Sequence, residues 1–257
     1  MRTVIITQEE PFYLPLFMNK VLRCLREIVA IIILPGIPEG FTLVSYIRRL
    51  YQVFGMKDFL IFGTLFIHYK LLDLLTHWRY HKRSYSVQSI ARMSNIPVYK
   101  LENVNDSKSL HLLRILQPEI IISVASPQVF KKGLINLAKH TINIHAALLP
   151  QYRGMMPSFW VLAKGEVKSG VTVHYVNERI DKGKIILQKT IDVSPQETLH
   201  SLQGKVADVG ATALLEGMER IQKRNGIEDM PGGGGSYYSF PTKEAAEEFR
   251  ARGRRFI

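Results

Sequence analysis

Seven short runs of β-branched and apolar residues, with helical patterns between most of them, restrict what this chain can fold into more than any other feature. By length and composition they read as strands: Thr3 to Thr7, Ile28 to Leu34, Ile96 to Tyr99, Ile120 to Val124, Ile142 to His145, Val171 to Val176 and Ile185 to Val193. Helical periodicity falls between the earlier runs, at Pro15 to Leu25, Thr42 to Phe54, Val87 to Met93, Ser107 to Leu116 and Gln128 to Leu137. Such alternation buries both faces of a mostly parallel sheet under helices, so the expected class is α/β. The last two runs are joined by a short turn and read as a hairpin at one edge.

A long helix is expected from Leu199 to about Ile221, because Leu202, Val206, Val209, Ala213, Leu214 and Met218 recur at helical spacing. The glycine run from Gly232 to Gly235 then reads as a joint into a tail, with a terminal helix over Lys243 to Arg252. The division expected is one catalytic unit over 1–225, with a helical insertion at about 57–83, and a short tail over 226–257. With 257 residues and 46% hydrophobic content, the chain is long enough to bury one such core.

Cys24 is the only cysteine, which excludes an internal disulfide, and no Cys/His cluster has metal-ligand spacing. The first residues do not follow the order of an export signal, so a reducing cytoplasm is the expected setting. The net charge of +12 is concentrated in the first half of the chain. Nucleic acid, an anionic membrane surface or a phosphorylated substrate could each exploit it, as could plain solvation.

Residues 58–78 are unusual, running Phe59-Leu60-Ile61-Phe62-Gly63-Thr64-Leu65-Phe66-Ile67 into Leu71, Leu72, Leu74 and Leu75. His68, Lys70 and Asp73 interrupt the roughly 20 apolar residues a membrane crossing needs. An amphipathic helix suits the segment better. It can pack on its own domain or on a partner subunit, or lie on a membrane with Lys57, Arg79, His81, Lys82 and Arg83 facing anionic lipid.

Chemistry concentrates in Asn143-Ile144-His145, followed by Leu148-Leu149-Pro150, and in Ile180-Asp181-Lys182-Gly183. Side chains two apart on a strand share a face, so Asn143 and His145 leave one strand end together. If the strand preceding Asp181 neighbours theirs, an amide, an imidazole and a carboxylate converge. Acyl transfer between amines needs a donor for a tetrahedral oxyanion and a group to manage protons. Asn143 can donate and His145 can donate or shuttle, while Asp181 is expected to raise the histidine pKa. Alone, an Asn-x-His pair more often just satisfies backbone groups at a strand end.

The surrounding pattern resembles the folate-dependent formyltransferase family, whose Asn-x-His, Leu-Leu-Pro, Tyr-Arg-Gly, Trp, Gly-Val-Thr and Ile-Asp-x-Gly elements are matched by Asn143, His145, Leu148 to Pro150, Tyr152 to Gly154, Trp160, Gly170 to Thr172 and Ile180 to Gly183. The resemblance implies a Rossmann-like formyltransferase fold, 10-formyltetrahydrofolate as formyl donor, and Asn143, His145 and Asp181 as the catalytic trio. It also implies that the pteridine is held by two loops, here represented by Ser123, Val124, Ala125, Ser126, Val129 and Phe130, and by Val176, Glu178 and Ile180. Ser126-Pro127 can at the same time start a helix. Ala147 stands where many members have Ser. The turn Thr7 to Pro11 lacks a Gly-rich phosphate cradle, and Glu9 and Glu10 would repel phosphate there.

Within that family three acceptors are considered. A small-molecule amine on a nucleotide-linked sugar leads, because such members resemble this chain in size. Methionyl-tRNA is the alternative, with tRNA held by the basic first half, since the stretch after Ile221 is too short for the family's tRNA-gripping barrel. Water, as in a deformylase, is a third. Tyr237, Tyr238 or Phe240 could stack on a base or simply dock the tail. A catalytically silent module that binds a membrane or partner through Phe59 to Leu75 stands beside these readings, and an oligomer remains open.

Overall fold

The computed structural model describes residues 1–76, 84–231 and 234–257. The chain runs β1 (Thr3–Gln8), α1 (Leu14–Cys24), β2 (Ile28–Leu34), α2 (Leu43–Thr76), α3 (Val87–Met93), β3 (Val98–Lys100), α4 (Ser107–Leu116), β4 (Ile120–Val124), α5 (Lys132–Ile135) and β5 (His140–His145). It continues through β6 (Arg153–Gly154), α6 (Pro157–Ala163), β7 (Lys168–Tyr175), β8 (Ile185–Asp192), α7 (Leu199–Lys223), β9 (Tyr237–Tyr238) and α8 (Lys243–Ala251).

The main sheet has the order β3-β2-β1-β4-β5-β7-β8. Its first five strands pair in parallel, and β7 and β8 close the edge as an antiparallel hairpin. This is the Rossmann-like sheet expected of the sequence. The near-continuous apolar runs of β2 and β4 are what a strand covered on both faces requires. Ile5, Ile31, Ile33, Ile120 and Ile122 pack under α1, α3, α6, α7 and α8, while Val4, Ile6, Ile32 and Ile121 pack with Leu113 of α4 and Leu134 of α5 on the other face.

After β1 the strand order runs one way through β2 and β3, then returns to the other side with β4 and β5. The carboxyl ends of β1 and β4 therefore diverge into a crevice, the place where open α/β sheets bind ligands. Four residue pairs of main-chain register join β5 to that crevice's far wall, with Asn143 opposite His174 and His145 opposite Thr172 on β7.

Two segments differ from the sequence expectation. The helix expected over Gln128 to Leu137 is only the four residues Lys132–Ile135, because Gln128 turns its side chain to accept from the Val104 N–H and donate to the Glu102 carbonyl. Ser126-Pro127 consequently starts no helix. The helices expected at Thr42 to Phe54 and within 58–78, by contrast, are present as the two halves of α2, broken at Gly55, whose φ of 67° and ψ of 170° are non-helical. Arg250 of α8 donates to the freed carbonyls of Val53 and Phe54 at 2.9 and 2.6 Å, so the break is capped from the tail. Trp78, Arg79, His81, Lys82 and Arg83, with the end of the insertion proposed to reach 83, lie outside the described residues.

The second difference is the tail. Glu228 bridges to Ile185, β9 pairs with β6, and Arg255 bridges to Thr198. Phe240, Phe249 and Phe256 are buried in the main core, so 234–257 are built into the same packed unit as the sheet.

Candidate active site

Asn143 and His145 project from the last residues of β5, and Asp181 comes from the loop between β7 and β8. The adjacency of β5 and β7 brings the three together as the pattern required. The nearest His145–Asp181 approach is Nδ1 to Oδ2 at 3.6 Å. Asp181 is held in the left-handed region, φ 52°, and its Oδ2 accepts from the Gly154 N–H at 2.8 Å. Gly183 turns the loop back so tightly against the Tyr175 carbonyl that a Cβ would overlap it.

His174 was not anticipated, yet it joins the group. Its Nε2 lies 3.2 Å from Asn143 Nδ2 and 3.6 Å from Asp181 Oδ1, and its Nδ1 lies 2.8 Å from the Tyr175 carbonyl. Because a carbonyl only accepts, Nδ1 carries a hydrogen, and with the hydrogen there Nε2 is placed to accept from the Asn143 amide. That bond fixes which end of Asn143 is the donor and leaves its second N–H for the crevice. No local signal marked it, because only the pairing of β5 with β7 sets His174 opposite Asn143.

The same reasoning sets the His145 tautomer. Nε2 lies 2.8 Å from the Tyr152 carbonyl, so Nε2 donates and the neutral ring keeps a lone pair on Nδ1, toward Asp181. Burial pushes the His145 pKa below its ordinary value, outweighing the upward pull of Asp181. The expected rise is thus corrected: the ring is 5% exposed, and at that depth desolvation of the imidazolium exceeds what a carboxylate at 3.6 Å returns. Burial also pushes Asp181 upward, but His145, His174 and the Gly154 N–H outweigh it and hold the carboxyl at about 2. The resting pair is therefore a neutral imidazole beside a carboxylate.

A cavity of about 1020 Å³ opens over these residues. Ser123, Val124, Ala125, Ser126, Val129, Phe130, Val176 and Ile180 line it with the trio. Glu178 does not. Asn177 Oδ1 accepts from the Arg179 N–H at 2.9 Å, and its amide donates to the Lys182 carbonyl at 3.1 Å. The turn so formed presents Asn177 and Arg179 to the cavity and carries Glu178 to a smaller neighbouring hollow. Among the described residues, four of the eight non-glycine positions with positive φ are Ala125, Tyr152, Met156 and Asp181, all at this site. Strained backbone concentrated at one crevice is a mark of a functional site.

The turn after β1 supplies the opposite wall. Glu10 accepts from the backbone of Phe12, Tyr13 and Leu14 at the start of α1, and Glu9 from Val87 and Gln88 at the start of α3. Both carboxyls line the cavity, and burial raises both pKa values. The helix N-termini where a phosphate would settle are thus already filled by the protein's own carboxyls. Beside them, Phe12 packs edge-on against Phe62 of α2, and Phe54, Phe59, Phe62 and Phe66 form an aromatic wall.

The tail completes the rim. Tyr238 stacks between Tyr152 and Trp160, with interplanar angles of 14° and 22°. Phe240 is buried against Phe41 and Tyr46. Those two rings dock the tail. Tyr237 alone of the three stays exposed while lining the cavity.

Residues 76–218, more than half of the chain, match the family model described as formyl transferase. The chain belongs to the formyl transferase family. It is 35% identical over 144 residues to a methionyl-tRNA formyltransferase of Fusobacterium nucleatum, covering 55% of this chain and 46% of that protein. The chain spans about half the length of the curated relatives it matches. The fold is similar to an N-formyltransferase from Helicobacter canadensis solved with folinic acid and dTDP-3-aminofucose, with a TM-score of 0.61 and 17% identity, covering 98% of this chain and 80% of that one. It is similar too to glycinamide ribonucleotide transformylase 1 from Symbiobacterium toebii, with a TM-score of 0.61 and 14% identity, covering 90% and 95%. The match to the family model includes Asn143, His145, His174 and Asp181.

Proposed function

We propose that this formyl transferase moves a formyl group from 10-formyltetrahydrofolate to a primary amine of a small acceptor. The observation that carries the reading is the convergence of Asn143, His145 and Asp181 on one cavity wall, with Asn143 oriented by His174. The cavity has the size of sites that take drug-sized ligands. Its two candidate folate loops offer Val124, Phe130, Val176 and Ile180 as apolar surface and the backbone around Ala125 and Asn177 for polar edges.

When bound, 10-formyltetrahydrofolate supplies the formyl carbon, whose bond to the folate nitrogen breaks as the bond to the amine forms, the displaced nitrogen taking up the proton the amine gives up. Asn143 donates its free N–H to the oxygen on which charge develops. His145, neutral at rest, accepts the amine proton at Nδ1 and hands it on. Asp181 stays ionised and stabilises the imidazolium while it exists, the role of a buried carboxylate beside a shuttle.

Among soluble acceptors, a nucleotide-linked amino sugar is supported by Tyr237, an exposed ring on the cavity rim that can stack on a base. Methionyl-tRNA is the second reading, favoured by the names of the curated relatives and by the basic first half of the chain. Tetrahydrofolate release from 10-formyltetrahydrofolate, assayed with nucleotide-linked amino sugars, charged initiator tRNA, glycinamide ribonucleotide and water, separates these. Turnover only with a sugar amine supports the first reading. Turnover with none, together with folate binding that Asp181→Ala leaves unchanged, would reduce the chain to a binding module. Salt-dependent affinity for tRNA is the companion test, since phosphate contacts weaken steeply with salt.

A further inference from the structure

Helix α2 is apolar on two sides, and among the described residues one side is packed and the other is not. On the inner side Phe62 packs on Phe12, Phe54 and His200, and Tyr69 stacks on Tyr85 at 5.5 Å. On the outer side Met56, Leu60, Ile67, Leu71, Leu74 and Leu75 recur at helical spacing, each more than half exposed. Thr64 continues this stripe, which is about one third of the helix circumference wide. By length and composition alone Leu43–Leu75 is apolar enough to cross a membrane, yet only 6% of its most apolar window is buried. A helix apolar all round is normally buried or in lipid.

Charge says which cover the stripe takes. The exposed positions of α2 include Arg48, Lys57 and Lys70, while both its acidic residues, Asp58 and Asp73, are half-buried. A second copy docked by two-fold symmetry would set cations against cations with no exposed carboxylate on either helix to answer them. An anionic bilayer answers both the apolar stripe and the cations. The helix lies along the surface and does not cross it, because the chains entering at Leu43 and leaving toward Val87 both return to the same sheet. Its inner face, moreover, is fastened to the cavity.

That cavity adjoins the stripe. Phe59, Phe62, Gly63 and Phe66 line it, and Phe66 is 42% exposed, at its edge. We propose that the outer stripe of α2 docks on an anionic lipid bilayer, and that the cavity behind it takes its amine from an amphiphile held there, an amino sugar borne on a lipid chain rather than on a nucleotide. The apolar part of such an acceptor runs over Phe59, Phe62 and Phe66 while its amine reaches His145. The acceptor half of the proposal rests on the amine-formylating reading of the site; the docking half does not.

Flotation of the full chain with vesicles tests docking directly. With phosphatidylcholine vesicles containing phosphatidylglycerol, the wild type floats; with phosphatidylcholine alone, the bound fraction falls tenfold or more. The double variant Leu60→Glu/Leu71→Glu, which alters no cavity residue, loses flotation tenfold or more and keeps its thermal transition and its turnover of a soluble amine. Arg48→Glu/Lys57→Glu, which leaves the stripe intact, loses binding to the anionic vesicles too. Wild type that stays in solution with anionic vesicles overturns the proposal. So does a lipid-free dimer that Leu60→Glu/Leu71→Glu converts to monomer. For the acceptor, an amino sugar joined to a polyprenyl diphosphate in vesicles turns over at least tenfold faster than the same sugar on a nucleotide; the reverse preference removes the amphiphile. If neither is formylated but flotation persists, the enzymatic reading fails and the docking surface stands.

Discussion

At the scale of single residues the account turns on protonation. Asp181 has a folded pKa of about 2 against an ordinary 3.8, so the fold favours its ionised form. The stability this contributes is complete above the unfolded value and is lost as pH falls through the folded one. That amounts to about 2 kcal/mol, and urea unfolding of wild type against Asp181→Asn between pH 6 and pH 2 should show the two stabilities converging in acid by about that amount. His145 has its folded pKa below 6.5, so the imidazolium opposes folding and also lacks the lone pair the shuttle uses. The acid limb of kcat/KM should accordingly fall below 6.5, and it should be absent from the residual activity of His145→Gln, itself down by about 10²-fold to 10⁴-fold. For His174→Gln, whose amide can still accept from Asn143, most of kcat should survive, whereas His174→Ala frees the Asn143 amide and lowers kcat with little change in KM. The trio was legible in the sequence because Asn143 and His145 sit two apart and Asp181 has a glycine-tightened loop. His174 was not, because a strand histidine announces nothing until its register opposite Asn143 is known. Nor was the depth of His145, which reverses the expected direction of its pKa.

At the scale of elements, local chemistry set most boundaries, and side chains from elsewhere set the rest. Strand runs such as Ile28–Leu34 and Ile120–Val124 are recoverable from composition because both sheet faces are covered. The short α5 is not, since the helix there is pre-empted by Gln128 reaching to Glu102 and Val104, a contact between distant segments. The break at Gly55 is legible as the gap between two helical patterns, but what caps it is not. The cap is Arg250 of α8, which donates to Val53 and Phe54. Arg250→Ala should therefore cost about 2 kcal/mol in urea unfolding, and hydrogen exchange should quicken in 50–56 ahead of the sheet. Gly183→Ala forces a Cβ into the Tyr175 carbonyl; a loss of about 1–3 kcal/mol is expected, with kcat reduced because Asp181 moves with the loop.

For the whole molecule, the crossover between β1 and β4 puts the crevice at the carboxyl ends of the strands, the hairpin β7–β8 brings Asp181 to it, and the tail closes its rim through Tyr238 and Phe240. Helix α2 then decides what can enter, since its aromatic inner face is a wall of the cavity. The most direct test of this arrangement is transfer itself: 10-formyltetrahydrofolate carrying a ¹³C-formyl group, incubated with the protein and an amino-sugar acceptor, followed by mass spectrometry of the acceptor. Labelled formyl on the amine, formed by wild type and lost with Asn143→Ala, His145→Gln and Asp181→Asn, is the predicted result. An acceptor that stays unlabelled with wild type, or is labelled equally by all four proteins, contradicts it.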